Sequence, residues 1–542
     1  MTFSKIDPRP RFLFPETNLT GRTSGMALAL VSLLGFAALV APVAQAAVSL
    51  GLPFSDHMVL QRNVAVPVWG KAAVAETVTV MFRGQTKTAK AGANGAWRVD
   101  LDASAAGGPF DMTVEGKNTL TLTDVMVGEV WICSGQSNMQ KPIKDFGGAN
   151  LDSIKSADIP DLRLMSTYAS KKWHRCTPDS ALNFSATAFY YGRELQKALK
   201  IPVGVIASAV GGTPVERWMD SATFLADPIL AKDTSTQKGD LYKNYILPLA
   251  PYAIKGFTWY QGESNATSTW AAHPGWTVPY YGAHFKAMMQ GWRKVWGQGD
   301  LPFYYVQIAN FMGAQTNPAE VSAWAELREA QRLDLSLTNT AMAVIIDIGE
   351  AADIHPKDKW DVGKRLALPA RAKLYGESKL EWSGPMYQSM QIKDKAIRLV
   401  FSHGNGLVAK DSAGKDGAKL AGFAIAGADN KWVWADAVID KDTVIVTNAA
   451  LSAPTVVRYG WANNPNCNLY NAAGLPASPF KTDGAQLPVP TALVAEEPFG
   501  ARESDLGNLR MTPADPVSAD ALGRRPGIKN PWRASFGRTP VR

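Results

Sequence analysis

Cysteine is scarce in this chain: Cys133, Cys176 and Cys467 are the only three among 542 residues. Three thiols cannot build a disulfide framework, and an odd number leaves at least one unpaired. A bridge from Cys176 to Cys467 is open on number alone, with no spacing behind it, while Cys133 lies in an apolar run and reads as a packed core residue. The six histidines show none of the His and Cys spacings of a zinc site, and the scattered Asp and Glu form no calcium loop. The expectation is therefore chemistry with no metal and no cofactor. A G-x-S-x-G elbow is missing, which argues against the α/β-hydrolase class, and so is a phosphate-cradling G-x-x-x-x-G-K.

A long hydrophobic run is missing too. Met26 to Val40 is nearly unbroken, but at about fifteen residues it is short of the roughly 20 that a membrane span needs. Arg22 precedes it and Ala44-Gln45-Ala46 follows as an A-x-A cleavage signal, so 1–46 reads as a signal peptide, with export to the periplasm or beyond and no stable membrane anchor. The net charge of +8 comes from the two ends. Residues 1–46 hold four basic and two acidic side chains, and Ala521 to Arg542 hold six basic and no acidic ones. The body is near neutral, so nucleic-acid binding is not indicated. Residues 487–542, rich in Pro, Gly and Arg without periodicity, read as a flexible tail.

Periodicity divides what remains. From Val64 to Val125 short alternating stretches (V-A-V-P-V-W, V-T-V-M-F, W-R-V-D-L-D, T-L-T-L-T) with an Asn94-Gly95 hairpin signal read as a β-sandwich, placed at 47–125. Strands then alternate with helical patterns at Ser185 to Lys200, Tyr280 to Trp296 and Ala323 to Leu335, which points to a parallel-sheet α/β domain over 126–380. Short strands return over 381–486 as a second β-domain, whose Trp461 to Phe480 stretch is expected to fold back toward the α/β domain.

Four apolar strands in the α/β region each empty into a loop of small or polar residues. Val130 to Gln140 ends in Gly-Gln-Ser-Asn, and Val203 to Trp218 passes through Gly211-Gly212-Thr213-Pro214. Gly256 to Asn265 ends in Gln-Gly-Glu-Ser-Asn, and Met342 to Pro356 carries Asp353 and His355, with Pro356 suited to open the next helix. In a parallel sheet all four loops open at one edge, where such folds place their ligands. Together they supply a serine, a histidine beside a carboxylate, and N–H or amide donors for a developing oxyanion, the parts of serine-dependent acyl transfer.

The G-Q-S-N, G-G-T-P-V-E-R-W, W-Y-Q-G-E-S-N and D-I-H-P segments resemble those of the sialate O-acetylesterase family of SGNH hydrolases, in the family's order. The likeness extends to F-S-A-T-A-F-Y-Y-G-R-E-L, L-R-E-A-Q and N-L-Y-N-A-A-G-L-P-A-S-P-F, and spans roughly Leu50 to Asp483. The resemblance implies an α/β fold with an SGNH-type, flavodoxin-like parallel-sheet hydrolase domain flanked by N-terminal and C-terminal β-domains. It implies a carbohydrate O-acetylesterase working through a serine acyl-enzyme on an acetylated sugar or oligosaccharide. The first substrate expected is an acetylated sialate, with acetylated xylan or another polysaccharide as the alternative. A non-catalytic carbohydrate-binding protein on the same scaffold is the reading from another class, and the intact set of catalytic residues speaks against it. The oligomeric state is left open.

Residue by residue, Ser137 matches the nucleophile and His355 its base. Asp353 is the candidate orienter of His355, although the superfamily usually separates the two by two residues and only Ile354 stands between them here, so a backbone carbonyl remains an alternative. Gly212 matches the backbone oxyanion donor beside the Ser137 N–H. Where the superfamily has Gly-x-Asn, this chain reads Gln261-Gly262-Glu263-Ser264-Asn265, so either Gln261 or Asn265 supplies the third donor, and Glu263 is an acceptor that supports the loop. Arg217 is a candidate partner for a sugar carboxylate, with an ion pair to a neighbouring acid as its other reading. Trp218, Trp259, Tyr260, Trp270, Trp276, Tyr280 and Tyr281 offer flat faces to sugar rings, of which one or two are expected to touch ligand.

Overall fold

A computed structural model of the chain describes residues 47–226, 228, 230–232, 239–266 and 278–483. The expected signal peptide, the whole of the expected tail, and His273, Trp270 and Trp276 lie outside them.

One strand links the N-terminal sheet to the central one. β1, Thr119–Gly135, begins as T-L-T-L-T with alternate residues turned to solvent and ends as a run in which every residue from Val125 to Gly135 is buried. The change of pattern marks a change of surroundings, because an antiparallel sheet wets one face while a parallel strand is covered on both. Its first half pairs antiparallel with Gly107–Glu115, and its middle pairs in parallel with Val59–Gln61. Its last residues pair in parallel with β2, Val203–Ala209, and β3, Gly256–Tyr260. The expected boundary between residues 125 and 126 thus falls inside a continuous strand.

β4, Phe303–Val306, and β5, Thr340–Ala343, continue the parallel sheet on the far side of β3, in the order β2-β1-β3-β4-β5. The chain runs outward from β1 to both sides, so the sheet has its switch point at the carboxyl end of β1. Beyond β2, Ile159–Ser166 adds a sixth parallel strand, and Trp173–Cys176 closes that edge antiparallel to it. One charge inside this sheet is fully engaged: Glu129, 2% exposed, accepts from Arg62 Nε, Gln61 Nε2 and Tyr375 Oη.

The N-terminal β region splits into two sheets, Ser49–Leu50, Val66–Lys71 and Ala96–Leu101 against Thr77–Phe82, Gln85–Lys90 and Gly107–Glu115. The tight hairpin is at Arg83-Gly84, whose φ of +50° and +77° suit a type I′ turn. Asn94-Gly95, expected to close a hairpin, instead turns the chain from one sheet to the other. Val78, Val80 and Phe82 from this region share one core with Ile132, Phe257 and Trp292 of the central sheet and its helices. The C-terminal β region, from Met386 to Lys481, has its own core around Leu399, Phe423, Val446 and Tyr459.

Helices cover both faces of the central sheet. α1 is the single turn Ser137–Gln140; α2, Ala186–Leu199, is capped by Ser185, whose Oγ accepts from Ala188 N at 3.1 Å. α3, Glu263–Ala266, and α4, Val278–Trp296, follow β3; α5, Ala323–Leu333, precedes β5. α6 spans Lys359–Leu374. Its cap is Asp358, whose carboxylate accepts from Asp361 N, so the helix starts three residues after Pro356 and Pro356 belongs to the loop. Gly363 lets α6 lie close on α2, since a Cβ there would stand 2.5 Å from that of Tyr190. This crossing sets where the first residue of α6 comes to rest. Among the described residues no helix is long and apolar enough to cross a membrane.

Candidate active site

β1 ends at Gly135 with φ +140°, where a Cβ would sit 2.1 Å from Tyr260 O. Only glycine lets β1 turn this closely against β3, and the turn brings Ser137 out as the first residue of α1. Gln136 fixes the turn at both ends: its N–H donates to Tyr260 O and its Oε1 accepts from Ser264 N at 3.1 Å.

His355 arrives from the loop after β5. Its Nε2 stands 2.9 Å from Ser137 Oγ, hydrogen-bond distance between residues 218 apart in the chain. Its Nδ1 faces Asp353 Oδ1 at 3.4 Å, long for a hydrogen bond, and the same oxygen accepts the His355 backbone N–H at 2.9 Å. The short Asp-Ile-His spacing thus makes one carboxylate oxygen serve both the ring and its own backbone. Burial, followed by the nearby charges of Lys141 and Lys359, lowers the His355 pKa below the usual imidazole value, and Asp353 opposes them. A neutral ring with Nε2 turned to the serine can accept its proton.

The loop after β2 passes close under Ser137. A Cβ on Gly211 would come within 3.3 Å of the serine Cβ, and Gly211 gives its N–H to Gln140 Oε1 at 2.8 Å. Gly212, at φ +70°, follows with its amide next in line as the candidate donor. From the loop after β3, Gln261 and Asn265 come together in a buried network. Gln261 Nε2 donates to Asn265 Oδ1 at 2.7 Å and to Thr213 O at 3.2 Å; Asn265 Nδ2 donates to both oxygens of Glu216, and its Oδ1 also accepts from Val215 N. Both amides are engaged within the protein, so an oxyanion would draw its third donor by exchanging one of these bonds. Glu263 accepts from Asn138 Nδ2 at 2.5 Å, and burial raises its pKa.

Two expectations about substrate contacts are corrected. Trp218 is fully buried, donating from Nε1 to Thr213 Oγ1 at 3.0 Å and meeting Trp259 edge to face, so it packs beneath the loop. Arg217 makes a two-pronged ion pair with Asp240, from Nε to Oδ1 at 2.9 Å and from Nη2 to Oδ2, which is the other reading the sequence allowed. Trp259, Tyr260 and Tyr281 are likewise buried. All three cysteines are free thiols, so no Cys176–Cys467 bridge forms. Burial pushes the Cys133 thiol up to about 12, far from nucleophilic at neutral pH.

Residues without an assigned role in the sequence also meet here. Asn138, Gln140 and Lys359 tie the nucleophile's turn to the loops around it. Asn138 and Gln140 sit beside the serine in the chain, which is a signal of position alone. Lys359 carries none, since a lysine in the first turn of a helix ordinarily reads as a solvated side chain.

Comparison with known proteins places this geometry in a family. Residues 127–370, from β1 to α6, match the family described as carbohydrate esterase, sialic acid-specific acetylesterase. A solved structure, a carbohydrate acetylesterase from Xanthomonas citri, shares 39% sequence identity over 81% of this chain and 100% of its own, with a TM-score of 0.73. The sialate O-acetylesterase of Homo sapiens is 28% identical across 79% of this chain and 91% of its own length, and that of Mus musculus is 28% identical across 78% and 92%. With the fold, the order of the loops and the relatives in agreement, the chain belongs to the sialic acid-specific acetylesterase family of carbohydrate esterases.

Proposed function

We propose that this protein is an exported, serine-dependent carbohydrate O-acetylesterase of the SGNH type. The observation that carries the reading is the 2.9 Å approach of His355 Nε2 to Ser137 Oγ at the carboxyl edge of a parallel sheet. Ser137 Oγ attacks the acetyl carbonyl while His355 Nε2 takes its proton, and the oxyanion is met by the N–H groups of Ser137 and Gly212 and by an amide of Gln261 or Asn265. Collapse breaks the ester bond, and the imidazolium returns its proton to the departing sugar oxygen. A water then attacks the acetyl-serine with His355 again as base, releasing acetate and restoring the serine. Asp353 steadies the charged ring in both halves.

The substrate class is an acetylated sugar, with an acetylated sialate as the first candidate on the likeness to sialate O-acetylesterases. The pairing of Arg217 with Asp240 favours a second reading, a neutral acetylated polysaccharide such as xylan, because the expected guanidinium partner for a sugar carboxylate is already engaged. Acetate release from acetylated sialic acids and acetylated xylo-oligosaccharides, with Ser137→Ala measured beside the wild type, tests both levels. Release from one set and not the other selects the substrate. Wild-type turnover by Ser137→Ala removes the mechanism. Export rests on residues 1–46, and a mature N-terminus at Ala47 in protein recovered from outside the cytoplasm is the result expected.

A further inference from the structure

The residues that join the nucleophile's turn to the acid–base loop are buried, an amide flanked by two ionisable side chains, and they form no bond to the reacting atoms. Asn138 follows Ser137 directly and is 1% exposed. Its Nδ2 donates to Glu263 Oε1 and, at 3.1 Å, to Ile354 O; its Oδ1 accepts from Lys359 Nζ at 2.5 Å. Two acceptors face the amide nitrogen and an ammonium faces the amide oxygen, so the surroundings fix which way the amide points. Ile354 stands between Asp353 and His355. The bond to its carbonyl therefore holds the backbone of the acid–base pair to the turn that carries the serine.

Lys359 is the anomaly in this network. It opens α6, the end of a helix where the dipole disfavours a cation, and its side chain is wholly buried. Glu263 faces it from α3, Asp353 from the loop, Asp358 from the helix cap and Lys141 from the residue after α1. The rings of Phe146 and Tyr260 lie 4.9 and 5.3 Å from its nitrogen. A buried cation against the helix dipole is costly, and it sits where one hydrogen-bonded amide reaches both partners of the proton transfer.

We propose that Lys359 is a positioning residue for the esterase reaction: through Asn138 its buried ammonium, balanced by Glu263, clamps the Asp353–His355 segment onto Ser137 and opposes a second positive charge on the resting imidazole. The proposal rests on the reading of Ser137 and His355 as nucleophile and base. Burial draws the Lys359 pKa down to about 7, with Glu263 the chief influence against it. Lys359 still carries its charge over the more acidic range in which His355 would gain a proton. Loss of that charge therefore lets His355 protonate at higher pH.

The test is kcat/KM for p-nitrophenyl acetate as a function of pH in wild type, Lys359→Met and Lys359→Gln, with Ser137→Ala alongside. In Lys359→Met the acidic limb should move up by about half a pH unit or more, with kcat lowered roughly tenfold. Lys359→Gln keeps a donor for Asn138 Oδ1 without the charge, so it should recover most of kcat while the limb stays displaced. A limb at the wild-type position in the folded variants overturns the proposal, even if turnover falls, because that result leaves Lys359 a purely structural part. If neither variant folds, carbon NMR titration of Lys359 Cε and His355 Cε1 in Ser137→Ala protein reads the same coupling. Two-step curves in which each group reports the other support the proposal, and independent single-step curves overturn it. Wild-type turnover by Ser137→Ala would instead strike the nucleophile assignment, which the NMR curves do not depend on.

Discussion

His355 must be neutral to take the serine proton, so the charges around it decide where activity begins. Its folded pKa is lowered by burial and by Lys141 and Lys359. The sign follows directly: the working form persists below the ordinary imidazole value of about 6.5 and is lost only as pH falls further. The acidic limb of kcat/KM should therefore lie below that value, and a limb above it would mean the ring is better solvated than the structure shows. Asp353 gives a second prediction. The cap of α6 is Asp358, whereas Asp353 holds the His355 backbone N–H and stands 3.4 Å from Nδ1, and in the proposed mechanism it orients the ring. Asp353→Asn should keep the thermal midpoint within a few degrees while lowering kcat by roughly 10²- to 10⁴-fold, the upper end being the cost of a wrong tautomer in the serine protease example. Near-normal turnover would reduce the site to a Ser137 and His355 dyad. That Ser137, His355 and Asp353 come together was legible because each stands in a short polar loop after an apolar strand. Arg217 and Trp218 were read by type alone, and type does not reveal that Asp240 lies 23 residues on to take the guanidinium, or that Thr213 takes the indole.

Strand ends and turns decide whether those side chains meet. The apolar runs of β1, β2, β3 and β5 announced a parallel sheet because buried parallel strands cannot alternate. The start of α6 was misplaced because Pro356 is a good first helical residue in isolation, whereas Glu350 draws in both the N–H and the ammonium of Lys357 and keeps the chain irregular until Asp358. The hairpin signal at Asn94-Gly95 misled in the same way, since a turn that suits one hairpin also suits a change of sheet. Gly135 carries the element-scale prediction. Gly135→Ala would drive a methyl into Tyr260 O, so it should cost about 2–4 kcal/mol of stability and, by moving Ser137, most of the turnover. Gly84→Ala is the control: its φ is also positive, but no atom lies within 4 Å of the added carbon, and about 1 kcal/mol with unchanged turnover is expected. Denaturant melts and esterase rates on the two variants, read together, separate backbone strain from displacement of the nucleophile.

At the scale of the whole molecule, the C-terminal region reaches back to brace the catalytic loops. Arg328, on α5 and without exposed surface, donates to Ile308 O and Ala309 O from the segment after β4 and to Ala462 O and Asn463 O from the returning chain, all at 2.7 to 2.9 Å. Asn464 then accepts from Asn310, whose own Oδ1 accepts from Gly349 N in the loop that ends at His355. A path of hydrogen bonds thus runs from residues 462–464 to the loop that carries His355. The sequence carried the return of Trp461 to Phe480 only as a run of small and aromatic residues, and an arginine binding four carbonyls has no spacing by which to be read. Burial draws the Arg328 pKa down to about 9, so the guanidinium stays charged at neutral pH, and its carbonyl partners take up the donors that solvent would otherwise satisfy. Arg328→Met keeps the volume and takes away the donor of Ile308 O and Ala462 O, while Ala309 O keeps Trp324 Nε1 and Asn463 O keeps Phe311 N. It should cost about 3–5 kcal/mol in denaturant melts, and hydrogen exchange should rise first in 461–464 and in the loop from Gly349 to His355. If exchange rises only around α5 while the His355 loop stays protected, the brace ends at the C-terminal segment and the catalytic loop is held from its own side, by Asn138 and Glu350.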